Sequence, residues 1–214
     1  MKQLIVICFL SAIAAAGFAQ NKKQNRLLQK GEFVIHGFGE TAFGVNRARD
    51  LLMLDGSFAA AATLNQTYMV GFFIEGNTNN LAYPVTYQVE YGVDGDFFTT
   101  VDDGNFNLLL SGLQVGYLYQ SNFPFHAGAT IRWGWGESRL YDPFGRKLMT
   151  AAVTAIEPRL EGFYRFNSWF KMKLSLGYRW VTRYDGENTY DLNSSTFQSP
   201  TAQLGFQFGW FDLK

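Results

Sequence analysis

The stretch Phe170-Lys171-Met172-Lys173-Leu174-Ser175-Leu176-Gly177-Tyr178-Arg179-Trp180 alternates apolar or aromatic residues with charged or small ones along its whole length. A strand of a soluble protein usually runs about five or six residues, whereas a tilted strand needs about nine to eleven to cross a bilayer. One face of this stretch is continuously apolar and the other is charged. This combination is typical of a strand with lipid on one side and a polar interior on the other.

The N-terminus has the organisation of a secretory signal peptide. Lys2 supplies the positive start, residues 4–16 are apolar, and Gly17 and Ala19 are small residues at the cleavage positions. The apolar stretch is too short for a permanent membrane helix. We therefore predict a signal peptide at residues 1–19, cleaved after Ala19, a polar periplasmic lead-in at residues 20–32, and one domain at residues 33–214.

The composition limits the classes of function. The only cysteine, Cys8, lies in the predicted signal, so the mature chain offers no disulfide, no thiolate metal site and no lipidated N-terminal cysteine. A formal net charge of +0 argues against nucleic acid as a partner. We expect no cofactor. Aromatic residues make up 17% of the chain, which contains 22 glycines, and this favours a β-barrel in an exported protein.

Eight segments share the period of two: residues 33–43, 52–64, 68–77, 107–119, 125–137, 153–166, 170–180 and 201–213. Short turns at residues 65–66, 121–124 and 167–168 alternate with longer loops at residues 45–51, 78–106, 138–152 and 183–200. In bacterial barrels the short turns face the periplasm. The outward aromatic residues also gather at the two ends of the segments, as expected at two membrane interfaces.

With this architecture, residues 33–213 resemble the small eight-stranded outer-membrane barrels, the group that includes the transmembrane domains of OmpX, OmpW and OmpA. The resemblance implies an all-β, eight-stranded antiparallel up-and-down transmembrane β-barrel in the bacterial outer membrane. Residues 204–211 look like the C-terminal signal that the barrel assembly machinery reads during insertion. Such signals typically end on an aromatic residue, whereas here Asp212, Leu213 and Lys214 follow.

The charged residues assigned to the inner face nearly balance in sign. The interior of an eight-stranded barrel is just wide enough for side chains, so these charges must pair or keep water. Antiparallel pairing across the turn at Asn167 places Glu157 opposite Arg179 and lets Lys173 reach Glu161. We interpret the lumen as a plug of ion pairs, with a proton or ion path as the alternative. The predicted network consists of Glu40, Asp55, Glu75, Arg132, Glu157, Arg159, Glu161, Arg165, Lys171, Lys173 and Arg179.

The two histidines do not indicate an enzyme. His36 and His126 are both assigned to the lumen near the short turns. Small barrels that modify lipid A use a histidine with a serine or aspartate, near the outer leaflet and facing lipid. Neither histidine has that position, so we expect no catalytic residue, and two histidines without cysteine argue against a catalytic zinc.

The longest loop, residues 78–106, alternates again around Tyr83, Tyr87 and Tyr91. We interpret it as a hairpin above the membrane, whose edge and tyrosines form a contact face for a partner. Residues 85–93 as a further membrane strand are the alternative. The acidic clusters at residues 94–96 and 102–105 fit turn chemistry, with calcium as the alternative.

These features predict a non-enzymatic structural or interaction protein, alone or as a subunit of a larger outer-membrane complex. Its partners would be outer-membrane lipid, the barrel assembly machinery and a protein at loops 78–106 and 183–200. A narrow pore for small solutes, a lipid-modifying enzyme and a secreted lipocalin-type barrel are the alternatives. Lipocalins point apolar residues inward, which is the reverse of the assignment made here.

Overall fold

The computed structural model describes residues 35–48, 51–65, 67–77, 81–90, 96–119, 123–142, 144–186 and 192–211, of which residues 81–90 and 96–103 are described by their backbone alone. The predicted signal peptide, its cleavage site and the lead-in lie outside the described residues. Over these ranges, no helix has the length and apolar character needed to cross a membrane.

The described residues form nine antiparallel strands: β1 (Ile35–Ala48), β2 (Leu51–Leu64), β3 (Tyr68–Asn77), β4 (Leu81–Glu90), β5 (Asp96–Tyr119), β6 (Phe125–Tyr141), β7 (Lys147–Arg165), β8 (Phe170–Tyr184) and β9 (Ser199–Gly209). Strand β1 pairs with both β2 and β9, and β3 pairs with β5. These pairings close a ring of eight strands from which β4 is left out. The predicted eight-stranded antiparallel up-and-down barrel is confirmed.

Strand β4 belongs to a hairpin that extends beyond this ring. It pairs antiparallel with the first part of β5, from Leu81 opposite Phe106 to Glu90 opposite Asp96. The later part of β5 pairs directly with β3, from Gly76 opposite Leu109 to Tyr68 opposite Tyr117. The hairpin prediction for this region is confirmed, and the alternative of a ninth strand in the barrel wall is wrong because β3 and β5 leave it no place.

The predicted turn at residues 167–168 is present, where the Asn167 side chain accepts from the Phe170 amide, and the other two predicted turns include residues outside the described ranges. Two of the predicted long loops are wrong. Residues 45–51 are mostly strand, since β1 continues until Ala48 lies opposite Leu51. Residues 138–152 are also mostly strand, and β6 and β7 meet at a tight turn. There the Asp142 carboxylate accepts from the amides of Phe144 and Arg146, and Gly145 takes φ 80°.

The chemical character of the inner and outer faces of the barrel changes along its length. Over most of each strand, large apolar side chains are exposed on the outer wall, such as Phe72, Leu160 and Leu176. Towards the long-loop end of β6–β8 the outer positions become polar, as at Arg139, Thr150 and Thr182, and the inner positions become apolar. This end of the barrel therefore has the apolar interior of a water-soluble barrel.

Candidate functional site

The lumen is the candidate functional site, and it contains three layers. We call the middle layer the charge layer; its titratable side chains are all buried and comprise Glu40, Asp55, Glu75, Arg132, Glu157, Arg159, Glu161, Lys173 and Arg179. The structure thus brings together nine of the residues that the sequence assigned to an internal network. Because side chains alternate along each strand, the inward residues of several strands meet at the same height.

Glu75 on β3 is the centre of the charge layer. Its Oε2 accepts from Arg132 at 3.0 Å, from Arg159 at 3.0 Å and from Gln203 at 2.8 Å, and its Oε1 accepts from Arg179. One carboxylate thus joins β3 to β6, β7, β8 and β9 across the lumen. Hydrogen bonds between ionised groups are stronger than neutral ones, and the low dielectric of a buried site strengthens them further.

Glu157 satisfies two of the same arginines from the opposite wall. Its Oε1 accepts from Arg159 at 2.7 Å and from the Thr201 hydroxyl at 2.6 Å, and its Oε2 accepts from Arg179 at 3.1 Å. The Glu157–Arg179 pair is the cross-strand pair that the turn at Asn167 predicted, and it is confirmed. Each of these arginines therefore contacts at least two carboxylates, so its buried positive charge is compensated.

Lys173 joins the remaining two glutamates. Its ammonium donates to Glu40 Oε1 at 2.6 Å and to Glu161 Oε1 at 3.1 Å, which confirms the second predicted pair. Gln207 donates to the other oxygen of Glu40 at 2.8 Å, and Thr130 donates to the other oxygen of Glu161 at 2.7 Å. All four carboxylate oxygens thus have a donor.

Asp55 lies at the edge of the charge layer. Its Oδ2 accepts from the Asn46 amide on β1 and lies 3.9 Å from a terminal nitrogen of Arg179. Asp55 therefore contacts the network through one arginine, whereas Glu75 contacts three.

The second layer, which we call the apolar layer, fills the long-loop end of the lumen and was not foreseen from the sequence. The loop after β8 forms a short 3-10 helix, Ser194–Phe197, capped by the Asn193 side chain. This helix places Phe197 in the lumen, where its ring stacks on Phe106 at a centroid distance of 5.1 Å. The other buried members are Ala48, Met53, Ala59, Phe73, Leu108, Leu110, Leu140, Met149, Ala151, Val153, Ala155, Val181 and Leu192.

The third layer lies at the short-turn mouth of the lumen and contains the two cations that the charge layer leaves out. The Lys171 ammonium lies 4.0 Å from the centroid of the Phe211 ring, and Arg165 donates to the Phe211 carbonyl at 3.4 Å. The sequence assigned both cations to one network with the glutamates. The structure instead places them together, beside a ring and a carbonyl.

Both histidines face the lumen near this mouth, as the sequence indicated. His36 is buried. His126 stacks on the Phe163 ring at 4.9 Å, and its Nδ1 lies 3.1 Å from the Phe123 carbonyl. Among the residues whose side chains are described, no group of three metal-ligating residues comes together. The predicted contact face lies outside the described part of the chain, which includes neither Tyr91 nor the side chains of Tyr83 and Tyr87, and the carboxylates of the two acidic clusters lie outside it as well.

No family model matches the chain, and no curated protein matches it either. Solved structures do match. Neisserial surface protein A (NspA) is 10% identical, and the match covers 81% of this chain and 96% of that one with a TM-score of 0.56. A major outer membrane protein from Thermus thermophilus is 12% identical, with 82% and 99% coverage and a TM-score of 0.50. The chain has the fold of the small eight-stranded outer-membrane β-barrels.

Two belts of exposed aromatic side chains on the outer wall agree with this outer-membrane barrel fold. Tyr68, Tyr117, Phe125 and Phe166 lie near the short turns, and Trp133, Trp135 and Trp180 lie towards the long loops. Aromatic rings collect at both faces of a bilayer because the ring is apolar and its polar edge is hydrated. The polar outer positions of β6–β8 begin directly beyond the second belt, at Glu137, Thr154 and Thr182.

Proposed function

We propose that this chain is a non-enzymatic protein of the bacterial outer membrane whose lumen is closed and whose long-loop end meets a partner. The observation that carries the closed lumen is the position of Glu75, which binds three arginines from three other strands. The apolar layer adds a second closure at the long-loop end, where Phe106 and Phe197 stack across the interior.

The charge layer leaves too little space for a passage. A cavity of about 10 Å³ lies between Phe73, Glu75, Arg132 and Glu157. A single water needs roughly this volume, so a file of hydrated ions does not fit without breaking ion pairs. Breaking a buried ion pair costs about 3–5 kcal/mol. A resting barrel therefore opposes conduction at this level.

The outer wall supports insertion into a membrane. Residues such as Phe72, Phe125 and Leu160 are 67%, 73% and 72% exposed and belong to one continuous apolar band. A soluble protein does not expose an apolar surface of this extent. The two aromatic belts set the level of the bilayer, and the short turns would then face the periplasm.

The hairpin of β4 and β5 is the surface that we propose for a partner. It extends beyond the closed ring, and among the described strands β4 pairs on one side only. An unpaired strand edge offers a row of backbone donors and acceptors that a partner can extend. The tyrosine face at Tyr83, Tyr87 and Tyr91 belongs to the same proposal.

Two measurements test these two parts separately. For the closed lumen, purified protein in planar bilayers should give no large steady conductance, and a stable channel of nanosiemens scale would refute it. For the partner, the intact chain is purified in mild detergent beside a variant in which a short glycine linker replaces residues 81–103. A partner captured by the intact chain should be lost from the variant. Recovery of the intact chain as a monomer would contradict the interaction role.

A further inference from the structure

A groove lies in the outer wall of the barrel near the short turns. Its floor is formed by two small residues on neighbouring strands, Ala127 on β6 and Gly162 on β7, which are direct cross-strand partners. Tyr119 lies beside Ala127 on β5 and Leu174 lies beside Gly162 on β8, and both of these large side chains are exposed. Because paired residues point to the same face of a sheet, this row of large, small, small and large residues forms a depression in the wall.

The groove is closed at the end nearest the short turns and supported from the lumen. Phe125 and Tyr164 are partners in the next cross-strand row, and their ring centroids lie 4.5 Å apart. Behind the floor, the His126 and Phe163 rings stack in the lumen at 4.9 Å. The cavity has a volume of about 490 Å³. Binding sites for small molecules usually have volumes of about 300–1,000 Å³, so the groove has the size of a ligand site.

Gly162 keeps this groove open. A Cβ added at Gly162 would meet no atom within 4 Å, although the residue pairs with strands on both sides. The next outward row towards the middle of the wall holds Leu160 and Leu176, which are partners and are both exposed. The depression therefore depends on the two small residues of the floor.

The surroundings of the groove indicate its occupant. It lies beside the aromatic belt at the short turns and within the exposed apolar band, so in the proposed membrane position it faces lipid. Among the described residues that line it, none carries a carboxylate, an ammonium or a guanidinium. A second barrel presents a convex wall and would place only single side chains in the groove, whereas a flexible hydrocarbon chain can follow it. Small residues allow such close approach, and packing then supplies the affinity.

We propose that this groove is a binding site for one acyl chain of a phospholipid in the leaflet at the short-turn end. The chain contacts the groove on several sides, instead of the single side that a convex wall offers. About ten additional contacts between carbon atoms correspond to roughly a ten-fold preference for the groove over the rest of the wall. The site rests on the membrane position proposed above.

The test uses the full barrel in phosphatidylcholine nanodiscs in which a small fraction of the lipid carries a spin label on an acyl chain. The paramagnetic relaxation of protein methyl groups is measured by NMR. We expect the relaxation of the Ala127 and Leu174 methyl groups to be roughly ten-fold stronger than that of Val70. Val70 is an exposed reference on β3 that lies two residues from Tyr68 in the aromatic belt, as Ala127 lies two residues from Phe125.

Two leucine substitutions separate the groove from the rest of the wall. Gly162→Leu fills the groove and should lower the relaxation at Leu174 to the level at Val70. Gly37→Leu is the matched control, because Gly37 is also exposed on the outer wall and an added Cβ there meets nothing within 4 Å. It should leave the relaxation at Leu174 unchanged. Ala127→Leu fills the groove from the neighbouring strand and replaces Gly162→Leu if that variant lacks the heat-modifiable gel mobility of a folded barrel.

Several results would overturn the proposal. Equal relaxation at Leu174 and Val70 in the parent would exclude the site and leave the membrane position intact, whereas no relaxation at either methyl group would refute the membrane position and the site together. Strong relaxation at Leu174 that persists in Gly162→Leu, or that is lost equally in Gly37→Leu, would also exclude the site. Contacts between two barrels at Ala127 would show that a second copy of the chain occupies the groove instead.

Discussion

Replacement of Glu75 by glutamine tests the charge layer at its centre. The variant keeps the shape of the side chain and removes the charge that Arg132, Arg159 and Arg179 share. Removal of one partner from a buried ion pair costs about 3–5 kcal/mol. The arginines retain Glu40 and Glu157 as partners, so we expect a loss at the lower end of this range, about 3 kcal/mol.

The loss is measured as the change in free energy of unfolding by urea, with the barrel folded in lipid vesicles. Glu137→Gln is the matched control, because Glu137 pairs with Arg139 on the exposed outer face and the exchange is the same. Exposed pairs contribute little, so the control should unfold like the parent. A loss of less than about 1 kcal/mol in Glu75→Gln would mean that the charge layer does not hold the strands together.

Three further substitutions test other levels of the barrel. Leu176→Arg, on the lipid-facing wall, should lower the free energy of unfolding in vesicles by about 2–4 kcal/mol, whereas Thr182→Arg, beyond the Trp180 belt, should lower it far less. Equal losses would contradict the placement of the bilayer between the two aromatic belts. Gly136→Ala should lower the free energy of unfolding in urea by about 1–3 kcal/mol, because its Cβ would lie 1.9 Å from the Leu109 carbonyl oxygen. At Gly162 an added Cβ meets nothing within 4 Å, so Gly162→Ala should unfold like the parent. Phe197→Ala should speed amide hydrogen exchange at Thr196, because the buried ring holds the loop after β8 in the lumen. Phe144→Ala, at an exposed turn, should leave this exchange unchanged, and unchanged exchange in Phe197→Ala would show that Phe197 does not hold the loop.

The period of two was sufficient to predict the part of the barrel inside the bilayer. There, lipid outside and charges inside place opposite residue types on alternate positions, as in Leu174, Ser175 and Leu176, so the sequence records the direction of each side chain. The cross-strand pair of Glu157 and Arg179 followed from the same register and one tight turn.

The long-loop end could not be predicted in this way. Leu108, Leu109 and Leu110 are all apolar, as are Ala151, Ala152 and Val153, so neither face differs from the other in sequence. The physical reason is the change of solvent beyond the second aromatic belt, where water outside requires an apolar interior. The predicted strands therefore stopped too early, and the closure by Phe197 depends on a contact with Phe106 across the lumen that no local pattern records.

The separation of Arg165 and Lys171 from the charge layer was also beyond the sequence. Alternation assigns both to the inner face, as observed, but it does not give their height relative to the glutamates on other strands. That height depends on the stagger of all eight strands, which the structure supplies.

Apolar side chains lie on both sides of the barrel wall, some against lipid and others in the lumen. Nuclear Overhauser effects from lipid acyl chains to protein methyl groups in nanodiscs test this without any substitution. The outer methyl groups of Leu174, Leu176 and Leu204 should show strong effects, and the inner methyl groups of Ala42, Ala61 and Met69, which are buried in the lumen, should show none. Strong effects at the inner methyl groups, with weak effects at the outer ones, would mean that the two faces of the wall are assigned the wrong way round.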